Sequence, residues 1–487
     1  MSRLTLNSAL PDGVSAPAYA PAAHGTGILH IGLGAFHKAH PAVYTDDALA
    51  AQGGDWRIAG VSLRSTAPAD ELSPQDGAFT VIERSAERTT ARVIGALSHA
   101  WTMRNDRAAV LAALCDPMVR IVSLTVTEKG YGIDRATGGI DTAHPAIAAD
   151  LATPQEPVGV AGLLVWALGE RLRLGHAPFT VLCCDNLPEN GAMLRALLTD
   201  FARHTAPELV PHIAQTVAFP ATMVDRITPA RTEATLALAK ALTGHEDRAA
   251  IETEAFRQWV IEDHFPEGRP AWEAGGALFV PDVRPYEEMK LRMLNGAHSM
   301  LAYSGFLSGK SHVRDVMADP ALARLVSRHM AAAASTLAPL PGVDFTSYGA
   351  ALAERFANPH LMHETYQIAM DGTEKLPQRI IAPAAEALAT GKPIEPFAFA
   401  VACWMRYALG RRDDGETYAL RDPREAQIAE ALVGAETAAQ IAAALSALPG
   451  LLPDALRTNA VWRDAVAERL ERMLELGMSH AITMEVG

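Results

Sequence analysis

The stretch "GILHIGLGAFHKAHPAVYTDDALAAQ", residues 27–52, decides the fold class. Residues 28–31 form a short apolar run that reads as a strand, Gly32 and Gly34 make a turn, and a helix follows to about Ala51. Glycine at such a turn permits a sharp bend and lets the backbone approach a pyrophosphate, while the helix start supplies N–H groups. The third position of the GxGxxG pattern holds His37. A lone GxG is a weak signal. Its place is the informative part: it follows the first strand and opens an α/β region. Gly32, Gly34, Ala35 and Phe36 are therefore the candidate cofactor-binding residues of this turn. His37 and His40 are expected to be surface residues of the helix.

The pattern continues outward from this turn. "DWRIAGVSL", "FTVIE", "TARVIGAL", "VRIVSLTVTEKGY" and "PFTVLCCDNLPENG" read as strands, and "VGVAGLLVWALGERLRLG" reads as a helix. Strands that alternate with helices argue for a mostly parallel sheet. After about residue 285 the texture becomes helical, in "YEEMKLRMLNGAHSMLAYSGFL", "DPALARLVSRHMAAAASTLA", "SYGAALAERFA" and "EAQIAEALVGAETAAQIAAALSAL". The expected class is α/β, with a Rossmann-type N-terminal domain over residues 1–284 and a mostly α-helical C-terminal domain over 285–487. Residues 1–26, rich in Pro, Ala and Gly, are expected to be an extended lead-in.

Composition narrows the function. The chain has 487 residues and a net charge of −14, with no Lys/Arg-rich run. Nucleic acid and anionic membrane are therefore not expected partners. No apolar run approaches membrane-spanning length and the N-terminus lacks a signal-peptide core, so a cytoplasmic protein is expected. The four cysteines form no CxxC pair and are expected to be free thiols. A monomer is favoured over an oligomer.

In an open parallel sheet, ligands sit beyond the carboxyl ends of the strands. Those ends carry Thr125 and Glu128, and then Asp185, Asn186 and Asn190. Asn186 is the candidate for a substrate oxygen, whereas Asn190 suits turn chemistry. The second strand ends at Arg64 where an acidic ribose ligand is usual; an arginine there can favour a 2′-phosphate, so the residues leave NAD versus NADP open. Asp225 and Arg226 stand in a Pro-flanked loop, where a structural ion pair is as plausible as a site role.

The segment "MKLRMLNGAHSM", residues 289–300, carries Lys290, Asn295 and His298. At about 100° per residue they point near 0°, 140° and 80°, on one broad face. Gly296 and Ala297 look chosen for close approach. Alcohol oxidation needs a base for the hydroxyl proton and donors for the developing oxyanion. A buried lysine with a lowered pKa can be that base. No HExxH, Cys/His cluster or carboxylate cage occurs, so metal-free chemistry is expected.

Together these stretches resemble the polyol-specific long-chain dehydrogenases, the mannitol dehydrogenase family, from about residue 27 to residue 423. "HIGLGAFHKAHPAVYTDD", "IVSLTVTEKGY", "FTVLCCDNLPENG", "FPATMVDRITPA", "FRQWVIEDHF", "PYEEMKLRMLNGAHS" and "MDGTEKLPQR" carry the resemblance. It implies a two-domain enzyme with a cleft between the domains and zinc-independent catalysis. Lys290 is implied as general acid/base, Asn186 and Asn295 as oxyanion ligands, and His298 as a substrate ligand. Thr125, Glu128, Arg64 and Asp225 join the glycine turn as candidate cofactor residues. Within the family, "FRQWVIEDHF", "IAMDGTEKLPQR" and "WMRY" look like the fructuronate-reducing members, with mannitol oxidation as the alternative. Arg379, with Lys375, is the candidate partner of a sugar-acid carboxylate, because a guanidinium binds carboxylates bidentately. The alternative for Arg379 is an internal salt bridge. A nucleotide-binding regulator without turnover is the rival of another class, and the intact Lys-Asn-His set argues against it.

Overall fold

The computed structural model describes residues 2–134 and 137–487. The chain divides into two compact units, Met1–Arg284 and Pro285–Gly487.

The first unit is built on a five-stranded parallel sheet in the order Leu97–Thr102, Arg57–Ser62, Thr26–Ile31, Ile121–Leu124, Thr180–Cys183. The first strand thus lies in the middle, and its carboxyl end opens onto the glycine turn. These strands read as apolar runs because both faces are covered. Alternate residues feed two separate cores. Leu29, Ile31, Val122, Leu124, Val181 and Cys183 pack with Leu163, Leu164, Leu194 and Phe201. Ile28, Ile58, Ile121 and Leu182 pack with Val43, Leu49, Trp259 and Trp272.

Two smaller sheets complete this unit. One contains Val14–Ser15, Thr89–Ile94, Phe79–Arg84 and Ile251–Glu254; the other contains Leu278–Val280, Gln258–Glu262 and Thr222–Asp225. The lead-in is therefore more than an extended arm. Val14 and Ser15 pair in parallel with Ala91 and Arg92, and Leu4 is buried against Ala78 and Val93. The helix after the glycine turn also differs from expectation. It runs Ala35–Ala39, breaks at His40 (φ −125°, ψ −82°), and resumes as Pro41–Gln52. Pro41 explains the break, since proline disfavours helical backbone in the preceding residue.

The second unit is helical. Gly296–Leu307 runs through its interior, buried almost all round, and packs against Pro320–Ser335 and Glu395–Tyr407. Two of its segments are π-helical, Lys290–Asn295 and Pro377–Ile381. The alanine-rich stretch near the C-terminus is two helices, Glu425–Ala431 and Ala438–Ser446. Thr437 starts the second of these with a reciprocal cap to Gln440. Among the described residues no helix is long and apolar enough to cross a membrane.

Candidate active site

The two turn glycines do different work. Gly32 has φ +113°, and a Cβ there would stand 2.1 Å from the Thr125 carbonyl oxygen, so only glycine lets the first and fourth strands close up. A Cβ on Gly34 would meet nothing within 4 Å, which leaves open space over the backbone. That open cradle, with half-buried Ala35 and Phe36 beside it, suits a pyrophosphate.

Buried histidines sit behind the turn. His37 and His40 are not the surface residues expected of this helix; both are 0% exposed. His37 fills the third-glycine position by stacking on His30, with ring centroids 3.7 Å apart. His30 contacts Ser123 Oγ through Nδ1 (2.7 Å) and Thr125 Oγ1 through Nε2 (2.8 Å). Thr125 donates its own hydroxyl to the Gly32 carbonyl (2.8 Å). Its oxygen therefore accepts from His30 Nε2–H, and Nδ1 accepts from Ser123. Burial holds His30 neutral, with its pKa lowered to about 3. Thr125 thus locks the turn to the neighbouring strand.

The strand tips are organised by Asp185. Its carboxylate accepts from the Val126 and Thr127 amides (2.9 and 3.2 Å) and from the Tyr131 hydroxyl (2.6 Å). Burial raises its pKa. Thr127 is held at φ +67°, ψ 155°, a region almost reserved for glycine. Asn186 is exposed beside this clamp, and Glu128 is exposed on the turn Glu128–Gly130. Asn190 is a structural strut whose side chain bonds the Thr222 amide and carbonyl, both at 2.9 Å. Arg64 is exposed past the end of the second strand. Asp225 is buried at the end of Thr222–Asp225, in the three-stranded sheet. Arg226 makes a structural ion pair, with Glu83, and donates to the Ala39 and Glu254 carbonyls.

In the second unit the π-helical segment changes the geometry read at α-helical spacing. A π turn holds about 4.4 residues, so Asn295 lies only about 50° from Lys290 instead of about 140°. Three further α-helical steps of about 100° bring His298 back near Lys290. All three then fall within an arc of about 60°. Lys290 is 8% exposed, while Asn295 and His298 are half-buried. His298 stacks on Phe356 (4.5 Å) and meets the His363 ring edge-on (6.1 Å).

The other π turn carries Arg379. Pro377 opens it, and proline inside a helix removes a donor and crowds the preceding turn. The two π turns touch at Gly296, where a Cβ would stand 2.8 Å from the Arg379 carbonyl oxygen. Arg379 Nη1 donates to Ser299 Oγ (3.2 Å), and no carboxylate among the described residues pairs with its guanidinium. Lys375 is committed internally, to the Met370 carbonyl (2.6 Å) and the Asp371 carboxylate (3.4 Å). Burial first, and then Arg379, lower its pKa.

Residues 26–274 match the family model for the mannitol dehydrogenase Rossmann domain, and residues 282–474 match the mannitol dehydrogenase C-terminal domain. The chain belongs to the mannitol dehydrogenase family. It is an oxidoreductase, like the relatives it resembles. The Escherichia coli (strain K12) D-mannonate oxidoreductase is 41% identical over 93% of this chain and 94% of its own length. The uncharacterized oxidoreductase YeiQ of the same organism is 43% identical over 97% of both. The Pseudomonas fluorescens mannitol 2-dehydrogenase, solved in a ternary complex with NAD and D-mannitol, superposes with a TM-score of 0.79. It is 37% identical over 99% of each chain.

Within this family frame, each unit gathers its own predicted residues. The first brings Gly32, Gly34, Ala35, Phe36 and Thr125 to one turn, with Asn186 beside the Asp185 clamp. The second brings Lys290, Asn295, His298 and Arg379 around the two π turns. Arg64, Asp225 and Glu128 stand on separate elements. Sequence reasoning assigned no role to Asp185, Ser299, Phe356 or His363. Only Asp185, at a strand end, carried a signal; the other three meet their partners through tertiary packing.

Proposed function

We propose that this oxidoreductase reversibly reduces D-fructuronate to D-mannonate, with NAD(H) as coenzyme and without zinc. The observation that carries the reading is Arg379: a half-buried guanidinium that no carboxylate among the described residues pairs with. Burying a charge without its counterion is costly, and a sugar-acid carboxylate supplies the missing partner. Arg379 meets Ser299, one helical turn beyond Asn295. That turn is about 6 Å, comparable with the span from ketone to carboxylate in a six-carbon keto acid. The 41% identity to a D-mannonate oxidoreductase supports the same substrate class.

The chemistry divides among residues on the page. Bound nicotinamide supplies the hydride. Lys290 holds the proton that reaches the ketone oxygen on reduction and takes it back on oxidation. Asn295 donates to that oxygen, and Asn186 of the first unit keeps the same proposed role. His298, oriented by Phe356 and His363, holds an adjacent hydroxyl. The cradle over Gly34 receives the pyrophosphate, with Thr125 fixing the turn. Arg64 makes NADP(H) the coenzyme alternative.

Steady-state rates with fructuronate and fructose, each with NADH and NADPH, test the proposal. Fructuronate with NADH is expected to give the highest kcat/KM. Arg379→Ala is expected to lower kcat/KM for fructuronate by about a hundredfold and to lower it much less for fructose. Equal losses on both substrates would remove the carboxylate role, and a wild-type preference for fructose would support mannitol oxidation instead.

A further inference from the structure

Two buried side chains near Arg379 carry donors that no hydrogen bond among the described residues uses. Tyr303 is 1% exposed and Trp404 is 2% exposed. Among the described residues neither the Tyr303 hydroxyl nor the Trp404 indole N–H forms a hydrogen bond, and neither atom is sealed from solvent. Both crowd one glycine. A Cβ on Gly372 would stand 2.7 Å from the Tyr303 oxygen and 2.6 Å from Trp404 Nε1, so the two polar atoms lie within about 5 Å of each other.

Arg379 is tied to the same helix as Tyr303. Its guanidinium bonds Ser299, which lies one turn before Tyr303 on Gly296–Leu307. Among charged groups, Arg379 exerts the largest influence on the Tyr303 hydroxyl, ahead of Asp422 and Asp371. Burial raises the Tyr303 pKa, so the phenol keeps its proton and stays a donor. The nearby carboxylates are engaged elsewhere. Asp422 accepts from the Thr373 amide (2.8 Å) and hydroxyl (2.5 Å), and Asp371 pairs with Lys375.

We propose that Tyr303, Trp404 and Arg379 form one carboxylate-reading pocket against Gly372, which makes Tyr303 and Trp404 specificity-determining residues for a sugar acid. The proposal rests on the sugar-acid reading above and extends it to two side chains. Simple core packing explains the rings and leaves the polar atoms unexplained. Both donors keep a sliver of solvent contact, so an entering acceptor can reach them next to a cation. A carboxylate offers two oxygens with four lone-pair directions, enough for a guanidinium, a phenol and an indole together. A neutral polyol end offers hydroxyls, whose weaker acceptor oxygens match this donor set less well.

The test uses the full-length enzyme with Tyr303→Phe and Trp404→Phe, each of which removes a donor and keeps an aromatic ring. KM for fructuronate is expected to rise about tenfold or more in each variant, with kcat within a few-fold of wild type. The fructuronate-to-fructose ratio of kcat/KM should fall by a similar factor. Calorimetric binding of mannonate to the NADH-saturated enzyme, a dead-end complex, should weaken equally. Equal losses on both substrates, or an unmoved KM for fructuronate, would overturn the pocket. Thermal unfolding identifies a damaged fold, and if one variant is lost the other decides. A wild-type enzyme that prefers fructose rejects the parent reading and the pocket with it. A wild type that prefers fructuronate, with variants that leave its KM in place, rejects the pocket alone.

Discussion

Gly296→Ala isolates the contact between the two π turns. The new Cβ would stand 2.8 Å from the Arg379 carbonyl oxygen and 3.2 Å from His329 Nε2. The first distance is roughly 0.5 Å inside ordinary contact, and its partner is backbone, which cannot swing away. Overpacking of this kind costs about 1–3 kcal/mol. Alanine returns up to about 1 kcal/mol through helix propensity and a less disordered unfolded chain. The net loss of stability is then about 0–3 kcal/mol, at most a modest fall in Tm. Activity should suffer more, because relief of the clash moves Asn295 and His298 relative to Arg379. Misplacement of reacting groups by a fraction of an ångström to 1 Å costs about tenfold to a hundredfold, so kcat/KM for fructuronate should fall by that range. Gly349→Ala is the internal control. Its Cβ would lie 3.8 Å from Met293 Cε and 3.9 Å from Met330 Sδ, ordinary contact within the helix Phe345–Phe356. That variant should match or exceed wild-type stability by about 0.5–1 kcal/mol. Differential scanning calorimetry and steady-state kinetics on the two variants give the comparison. Wild-type kcat/KM in Gly296→Ala, with Tm unchanged or raised, would refute the idea that this contact sets the site.

Two other outcomes follow from the first unit. His30 has its pKa lowered by burial from 6.5 to about 3, so between those values the unfolded chain binds a proton that the folded chain refuses. Stability from this residue is complete above pH 6.5 and falls as pH drops, by about 1.4 kcal/mol per pH unit. Denaturant unfolding at pH 7, 6 and 5 should show a slope shallower by that amount in His30→Gln, and an identical slope would contradict the assignment. Thr125→Val removes the hydroxyl that bonds the Gly32 carbonyl and His30. Fluorescence titration should show the NADH Kd rising about tenfold, and an unchanged Kd would mean the turn holds its shape without that bond.

Local patterns made the first unit readable. The strand before Gly32 and the apolar runs near residues 121 and 180 announce a buried parallel sheet, because strand propensity and burial act on neighbouring residues. Long-range partners left no such trace. Glu83 answers Arg226 across 143 positions, and the sequence next to Arg226 offers Asp225 instead. The burial of His37 and His40 was hidden for a similar reason: a five-residue helix is too short to show an inner face. In the second unit the chemistry of Lys290, Asn295 and His298 was legible from residue type and spacing. The angles were not, because a sequence does not state where 3.6 residues per turn gives way to a wider turn. Arg379 could be proposed from "LPQR", but its lack of an internal carboxylate is a property of packing alone.

A π turn is what a helix becomes when it gains one residue without losing its ends. The segment Lys290–Asn295 therefore sets its register by chain length as much as by side-chain identity. Deletion of a single residue between Lys290 and Asn295 would restore ordinary helix and, over seven steps of about 100°, leave Lys290 within about 20° of His298 around the axis. Every functional side chain would survive and the helix would remain continuous. Straightening the turn with its extra residue kept would instead open that angle to about 80°, so along a lineage the extra residue and the wide turn must be gained or lost together for Lys, Asn and His to stay on one face.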